Sequence, residues 1–140
     1  MKAPEMEAYA KLVPSPSQDT QPHWDGLTEH RYLLQKCVGC GKIRHYPRPV
    51  CDACYSMKVE WVAASGHGIV HSWTVTFHPF HPGWKGDLPY TLVTAELDEG
   101  VRMNAQLRDA DAVTLKVGLA VRIDYELAKE GLTLPVLRLA

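Results

Sequence analysis

The stretch Cys37-Val38-Gly39-Cys40-Gly41-Lys42-Ile43-Arg44-His45-Tyr46-Pro47-Arg48-Pro49-Val50-Cys51-Asp52-Ala53-Cys54 contains all 4 cysteines of the 140-residue chain, in two C-x-x-C pairs separated by ten residues. In such a knuckle a tight turn brings both sulfurs to one point, and two knuckles complete a tetrahedron around a metal ion. Gly39 and Gly41 flank Cys40, where a knuckle needs unusual dihedrals and close backbone approach. Zinc is the first expectation for Cys37, Cys40, Cys51 and Cys54. Iron in a rubredoxin-like site uses the same four-sulfur geometry, and a redox dithiol is disfavoured because no βαβ pattern surrounds either pair. Four sulfur ligands leave no open coordination position, so the ion is expected to be structural.

Outward from the cysteines, Tyr32–Cys37 reads as a short strand entering the first knuckle, and Lys42–Tyr46 as its antiparallel return. Pro47 and Pro49, which lack an N–H, then stop the ladder. Ahead of it, residues 4–12 can form a short helix with Pro4 in its first turn. The breaker stretch Val13-Pro14-Ser15-Pro16-Ser17 follows as a linker. A second helix is expected from Thr20 to near His30, with Pro22 in its first turn and Trp24 and Leu27 on one face.

Beyond Val59 the chain is rich in strands: 59–65, 68–77, 90–97, 101–107, 120–127 and 132–140. Val121, Ile123, Tyr125 and Leu127 alternate with Arg122, Asp124 and Glu126, the period of a strand buried on one face. With 59–65 set aside as a connector, five strands remain, and Asp109–Leu115 can make a helical turn between the third and fourth. That order suits an OB-type Greek-key barrel; a β-sandwich or another small barrel is the competing architecture. The expected organisation is mainly β: an N-terminal helical arm (1–31), a rubredoxin-like zinc ribbon (32–58) and a five-stranded OB-fold barrel (59–140).

Hydrophobic residues make up 46% and charged residues 22%, a balance suited to folded rather than disordered chains. No apolar run approaches the roughly 18 residues that cross a bilayer. Residues 1–30, with Glu5, Glu7, Asp19, Asp25 and Glu29, lack the basic and apolar parts of a signal peptide. A cytoplasmic location is expected, where thiols stay reduced and paired cysteines favour metal over disulfides.

The net charge of -1 is unevenly spread. The cysteine segment is basic and the barrel acidic, which weighs against nucleic acid as a partner. Arg31, Lys36, Lys42, Arg44, Arg48 and Lys58 could offset the net charge of a four-thiolate cluster. They could instead form a basic surface for a phosphate-bearing ligand, with Lys42, Arg44 or Arg48 meeting the phosphates of a CoA ester.

His78 and His81 lie in the proline-rich loop FHPFHPGWKGDLP, and His67 and His71 flank a strand start, an arrangement without fixed metal-ligand geometry. The same loop gathers Phe77, Phe80, Trp84 and Tyr90 alongside Pro79, Pro82 and Pro89. A stiffened aromatic segment of this kind either anchors a partner or caps the end of the barrel. No G-x-S-x-G elbow and no phosphate-binding glycine loop occur, and Asp98-Glu99 and Asp109-x-Asp111 sit at turns, so no catalytic residue is assigned.

Five segments carry a family resemblance: Gln21-Pro22-His23-Trp24-Asp25-Gly26-Leu27, Leu34–Gly41, Tyr46–Cys54, Gly66-His67-Gly68-Ile69-Val70-His71-Ser72-Trp73-Thr74-Val75, and Pro89-Tyr90. Over residues 20–140 the chain resembles the acyl-CoA-associated family known as domain of unknown function 35, a zinc ribbon followed by an OB-fold. The resemblance implies an accessory subunit without activity of its own, in a hetero-oligomer with a thiolase-like catalytic chain. Its partners in the family are thiolases, hydroxymethylglutaryl-CoA synthase, aldolases of steroid side-chain degradation and an acyltransferase acting on phloroglucinol rings. In such assemblies the thiolase-like chain supplies the catalytic cysteine and histidine, and the zinc-ribbon chain bridges subunits beside the passage for CoA.

Overall fold

The computed structural model describes residues 9–140. Most of the expected helix at 4–12 lies outside that range, and Tyr9–Leu12, which are described, are not helical. Helix α1 (Gln21–Thr28) follows Thr20 with proline in its first turn, as its sequence requires. It buries Leu27 and His23 while Trp24 packs at the edge of the core. Gly26 permits this seating: a Cβ there would lie 2.8 Å from the Leu33 side chain and 2.9 Å from the Arg31 carbonyl.

The ribbon is a three-stranded antiparallel sheet in the order β2-β1-β3, built from β1 (Leu33–Cys37), β2 (Ile43–Arg44) and β3 (Val59–Ala63). The return strand expected over 42–46 is only two residues long. The knuckle takes up Gly41 and Lys42, and Pro47 and Pro49 cannot donate to a ladder. Residues 59–65, expected as a connector, instead supply β3, which pairs along the whole of β1 from Leu33↔Ala63 to Cys37↔Val59. The ribbon sheet therefore runs on to Ala63. A strand with the burial sequence of β3, half-buried at three of five residues and exposed at the other two, has no clean alternation to reveal it.

Five strands, β4 (His67–Thr76), β5 (Tyr90–Leu97), β6 (Arg102–Leu107), β7 (Ala120–Lys129) and β8 (Leu132–Leu139), close into a barrel in the order β4-β5-β6-β8-β7. A short 3₁₀ turn, Ala112–Thr114, lies between the third and fourth barrel strands. Together these are the elements of an OB-fold. Closure brings β4 against both β5 and β7 at Gly68, where a Cβ would sit 2.4 Å from the Glu96 carbonyl oxygen. Only glycine allows that approach. The seam between β6 and β8 is parallel and holds just two registered pairs, Gln106↔Val136 and Leu107↔Leu137.

Val70, Val93, Ala95, Met103, Val121 and Leu137 fill the barrel, and Leu27 of α1 with Tyr32 and Leu34 of the ribbon belong to the same continuous core. Arm, ribbon and barrel thus exclude water jointly. Leu27→Ala should lower unfolding free energy by about 3 kcal/mol, the usual cost of emptying a sealed leucine site. It should do so in one transition followed by both barrel and ribbon probes in a denaturant titration; separate transitions would contradict the shared core.

Candidate functional site

Cys37 ends β1 and Cys51 opens the second knuckle, and both are buried, whereas Cys40 and Cys54 are exposed. The four Sγ atoms lie within 4.8 Å of one another, with Cys37–Cys54 at 3.5 Å and Cys40–Cys51 at 3.8 Å. Ligands about 2.3 Å from a tetrahedral zinc would stand roughly 3.8 Å apart, so the donor set fits such an ion.

The two knuckles repeat one backbone design. The carbonyl of Cys37 accepts from Gly41 N at 2.8 Å, and that of Cys51 accepts from Tyr55 N at 2.9 Å. The N–H groups of Cys37 and Cys51 donate to Lys42 and Ser56 carbonyls at 2.8 and 2.9 Å. Gly41 (φ 79°) and Tyr55 (φ 64°) take the left-handed turn that each knuckle requires. The N–H of Cys40 holds the Cys37 thiol down to about 6, and those of Cys54 and Ala53 lower Cys51, so each turn favours a thiolate at its first cysteine.

The basic residues nearby are largely spoken for. Lys42 pairs with Asp52 at 2.8 Å, and Arg48 reaches the same carboxylate at 3.7 Å. Arg44 is buried: its Nε donates to Gln35 Oε1 at 2.8 Å and its Nη2 to the Arg48 carbonyl at 3.1 Å. The sequence placed Arg44 among candidates for a phosphate; the fold uses it as a brace between β1 and the proline loop. Lys36 lies 3.9 Å from Glu60 and Arg31 4.0 Å from Glu29.

The loop at 77–90 divides its aromatic residues. Phe77 and Phe80 are 73% and 83% exposed, whereas Trp84 and Tyr90 are half-buried with ring centroids 4.6 Å apart. Its Pro82–Asp87 segment is a 3₁₀ turn, capped where His81 Nδ1 accepts from Gly83 N at 3.1 Å. The Lys11 ammonium lies 4.5 Å from the Trp84 ring centre and pairs with Asp87. Among the described residues, the four cysteines are the group whose ligand atoms converge as a metal site would need. His78 instead packs on Phe80, and His71 Nδ1 contacts Ser72 Oγ at 3.1 Å.

Sequence reading passed over a cluster of rings where arm, ribbon and barrel meet. His23 of α1, Tyr32 and His45 pack with centroids 5.1–5.2 Å apart, and the Tyr32 hydroxyl is 2.7 Å from His45 Nε2. The available signal was the i, i+4 pairing of His23 with Leu27 on the helix face that docks. Burial lowers His23, and burial together with His23 lowers His45 to about 3. Burial likewise raises the Tyr32 hydroxyl.

Residues 24–60 match the description "ChsH2, rubredoxin-like zinc ribbon domain", and residues 61–126 match "ChsH2, C-terminal OB-fold domain". A DUF35 domain-containing scaffold protein of Methanothermobacter thermautotrophicus is 32% identical over 71% of this chain and 77% of its own length. The chain belongs to the DUF35 family. A structure described as "Ltp2-ChsH2(DUF35) aldolase" superposes with a TM-score of 0.83 at 33% identity, covering 91% of this chain and 98% of that one. The probable enoyl-CoA hydratase alpha subunit of Thermomonospora curvata is 34% identical over 89% of this DUF35 chain. The chain spans 39% and 38% of the length of the two hydratase alpha subunits it matches. No helix among the described residues is long and apolar enough to cross a membrane.

The two histidines make stability sensitive to acid. Each has a folded pKa below the ordinary 6.5, so the unfolded chain binds more protons as pH falls through 6.5. Stability is complete above that value and should decline below it by about 1.4 kcal/mol per pH unit for each histidine that stays neutral. Urea titrations at pH 7 and pH 5.5 measure this, and the His45→Phe variant should show a shallower slope.

Proposed function

We propose that this DUF35 chain is a non-catalytic, zinc-binding subunit that docks on and stabilises a catalytic partner acting on acyl-CoA or acyl substrates. The partner is of the thiolase-like or aldolase class, and the assembly is a cytoplasmic hetero-oligomer. The observation that carries this reading is the likeness, over 91% of this chain and 98% of the other, to a chain from an Ltp2–ChsH2 aldolase structure. Names of relatives that are hydratase alpha subunits point the same way, towards shared enzymes acting on CoA thioesters.

Structural zinc at Cys37, Cys40, Cys51 and Cys54 is supported by sulfur spacings that suit a closed tetrahedron. It would contribute on the order of 10 kcal/mol to a segment with little apolar core of its own. Cys51→Ala should lose the ion and leave the ribbon disordered, read by metal analysis and amide exchange. An intact ribbon without zinc would refute the structural role.

The exposed Phe77 and Phe80 are the proposed anchors for the partner. Within the same loop the half-buried Trp84 packs against Tyr90 at the start of β5 and holds the segment to the barrel. Affinity purification from the native cell, followed by mass spectrometry, should recover a thiolase-like or aldolase chain in stoichiometric amount. Phe80→Asp should weaken that association by more than about tenfold without altering the melting temperature. A chain recovered alone as a monomer would defeat the proposal. A direct CoA ester contact would appear as binding heat in calorimetry with the isolated subunit.

A further inference from the structure

Where β6 and β8 meet, the barrel is incompletely zipped. Their two registered pairs end at Gln106↔Val136, and the next residue back along β8, Pro135, has no N–H to continue the ladder. The ribbon bridges this gap from outside: the Tyr46 hydroxyl accepts the N–H of Asn104 at 2.8 Å. Helix α1 covers the other side. Between this roof and the parted strands lies a cavity of about 400 Å³, walled chiefly by carbon from Trp24, Leu27, Tyr46, Trp84, Leu92 and Val136. Its size falls within the roughly 300–1,000 Å³ usual for small-molecule sites.

The polar groups in the wall define what could fill it. Arg108 and Glu126 neutralise each other through two hydrogen bonds of 2.9 Å. That leaves the guanidinium committed and offers no anchor for a phosphate. His23, only 6% exposed, also lines the cavity. Its Nδ1 lies 3.1 Å from the Leu33 carbonyl, and a carbonyl can only accept, so Nδ1 carries the proton. Burial disfavours a second proton. The Nε2 lone pair is therefore an acceptor, and it has no hydrogen-bond partner among the described residues.

We infer that this cavity binds an uncharged, largely apolar small molecule carrying a hydroxyl that donates to Nε2 of His23. The aromatic walls suit a flat or fused-ring skeleton, which can stack on Trp24. The inference goes beyond partner docking and does not rest on it, since the walls it is argued from are described residues of this chain.

Two probes that differ by one hydroxyl, β-naphthol and naphthalene, test it by quenching of tryptophan fluorescence in the full-length, zinc-loaded chain. Both should bind saturably, with β-naphthol about fivefold tighter, the scale of one net hydrogen bond. His23→Phe should abolish that preference while naphthalene affinity holds. Leu92→Trp, a filling substitution from a partly exposed position, should abolish binding of both, with melting temperature and zinc content as controls for folding. If His23→Phe does not fold, the two probes on the native chain and the Leu92→Trp variant still decide.

Absence of saturable quenching, or undiminished binding to Leu92→Trp, would overturn the site. Equal affinity for the two probes would overturn the hydroxyl assignment. Binding that occurs in the free chain but vanishes in the complex it purifies with would give the cavity to a partner side chain instead, and would also overturn the inference. The outcomes read on the free chain do not depend on whether a thiolase-like partner is found.

Discussion

Four sulfur atoms held within 4.8 Å of one another are the constraint on which the ribbon depends. Between Cys37 and Cys54 the chain has one two-residue strand, two prolines and two turns, and few apolar side chains to bury. Without a metal, thiolates drawn this close repel one another: backbone N–H groups lower Cys37 and Cys51, whereas Cys54, despite the Ser56 backbone bond that lowers it, is pushed up to about 12 by the neighbouring sulfurs. Both knuckles are shaped to present anionic sulfur to a cation. The geometry of the turns and the electrostatics of the donors point to one requirement.

How much of this could be read from the sequence depended on whether a residue's environment was local. The C-x-x-C turns and the alternation along β7 are set by neighbours a few positions away, and the ribbon and barrel were legible from them. The return strand to the knuckle was overestimated, although the prolines that shorten it were in view. The role of β3 was missed because it is half-buried along most of its length, a pattern that arises from lying against β1. Arg44 looked like surface charge and is buried, because its partners Gln35 and the Arg48 carbonyl come together only once β1 and the proline loop meet. His23 and His45 were invisible for the same reason. Their neutrality comes from burial at a junction between elements far apart in the chain.

The aromatic loop illustrates a split that sequence could pose but not resolve. Anchor and cap were alternatives for the whole segment, and the fold assigns different rings to each. Trp84 and Tyr90 stack inward, while Phe77 and Phe80 stand in water. Lys11 over Trp84 ties the N-terminal stretch to this inward pair, so the described chain ahead of α1 is joined to the barrel. The outward and inward rings share one short stiff segment. A change in what touches the outer pair could thus be felt at the inner one.

Because Leu27, Tyr32 and Leu34 are buried in one core with the barrel, helix, ribbon and barrel cannot be traded separately between polypeptides. A gene fusion that carried the barrel alone would open a greasy wound where α1 and β1 had been. The heritable cassette is the helix-to-barrel unit as a whole. That fits its recurrence both as chains of nearly this length and as one stretch of much longer subunits.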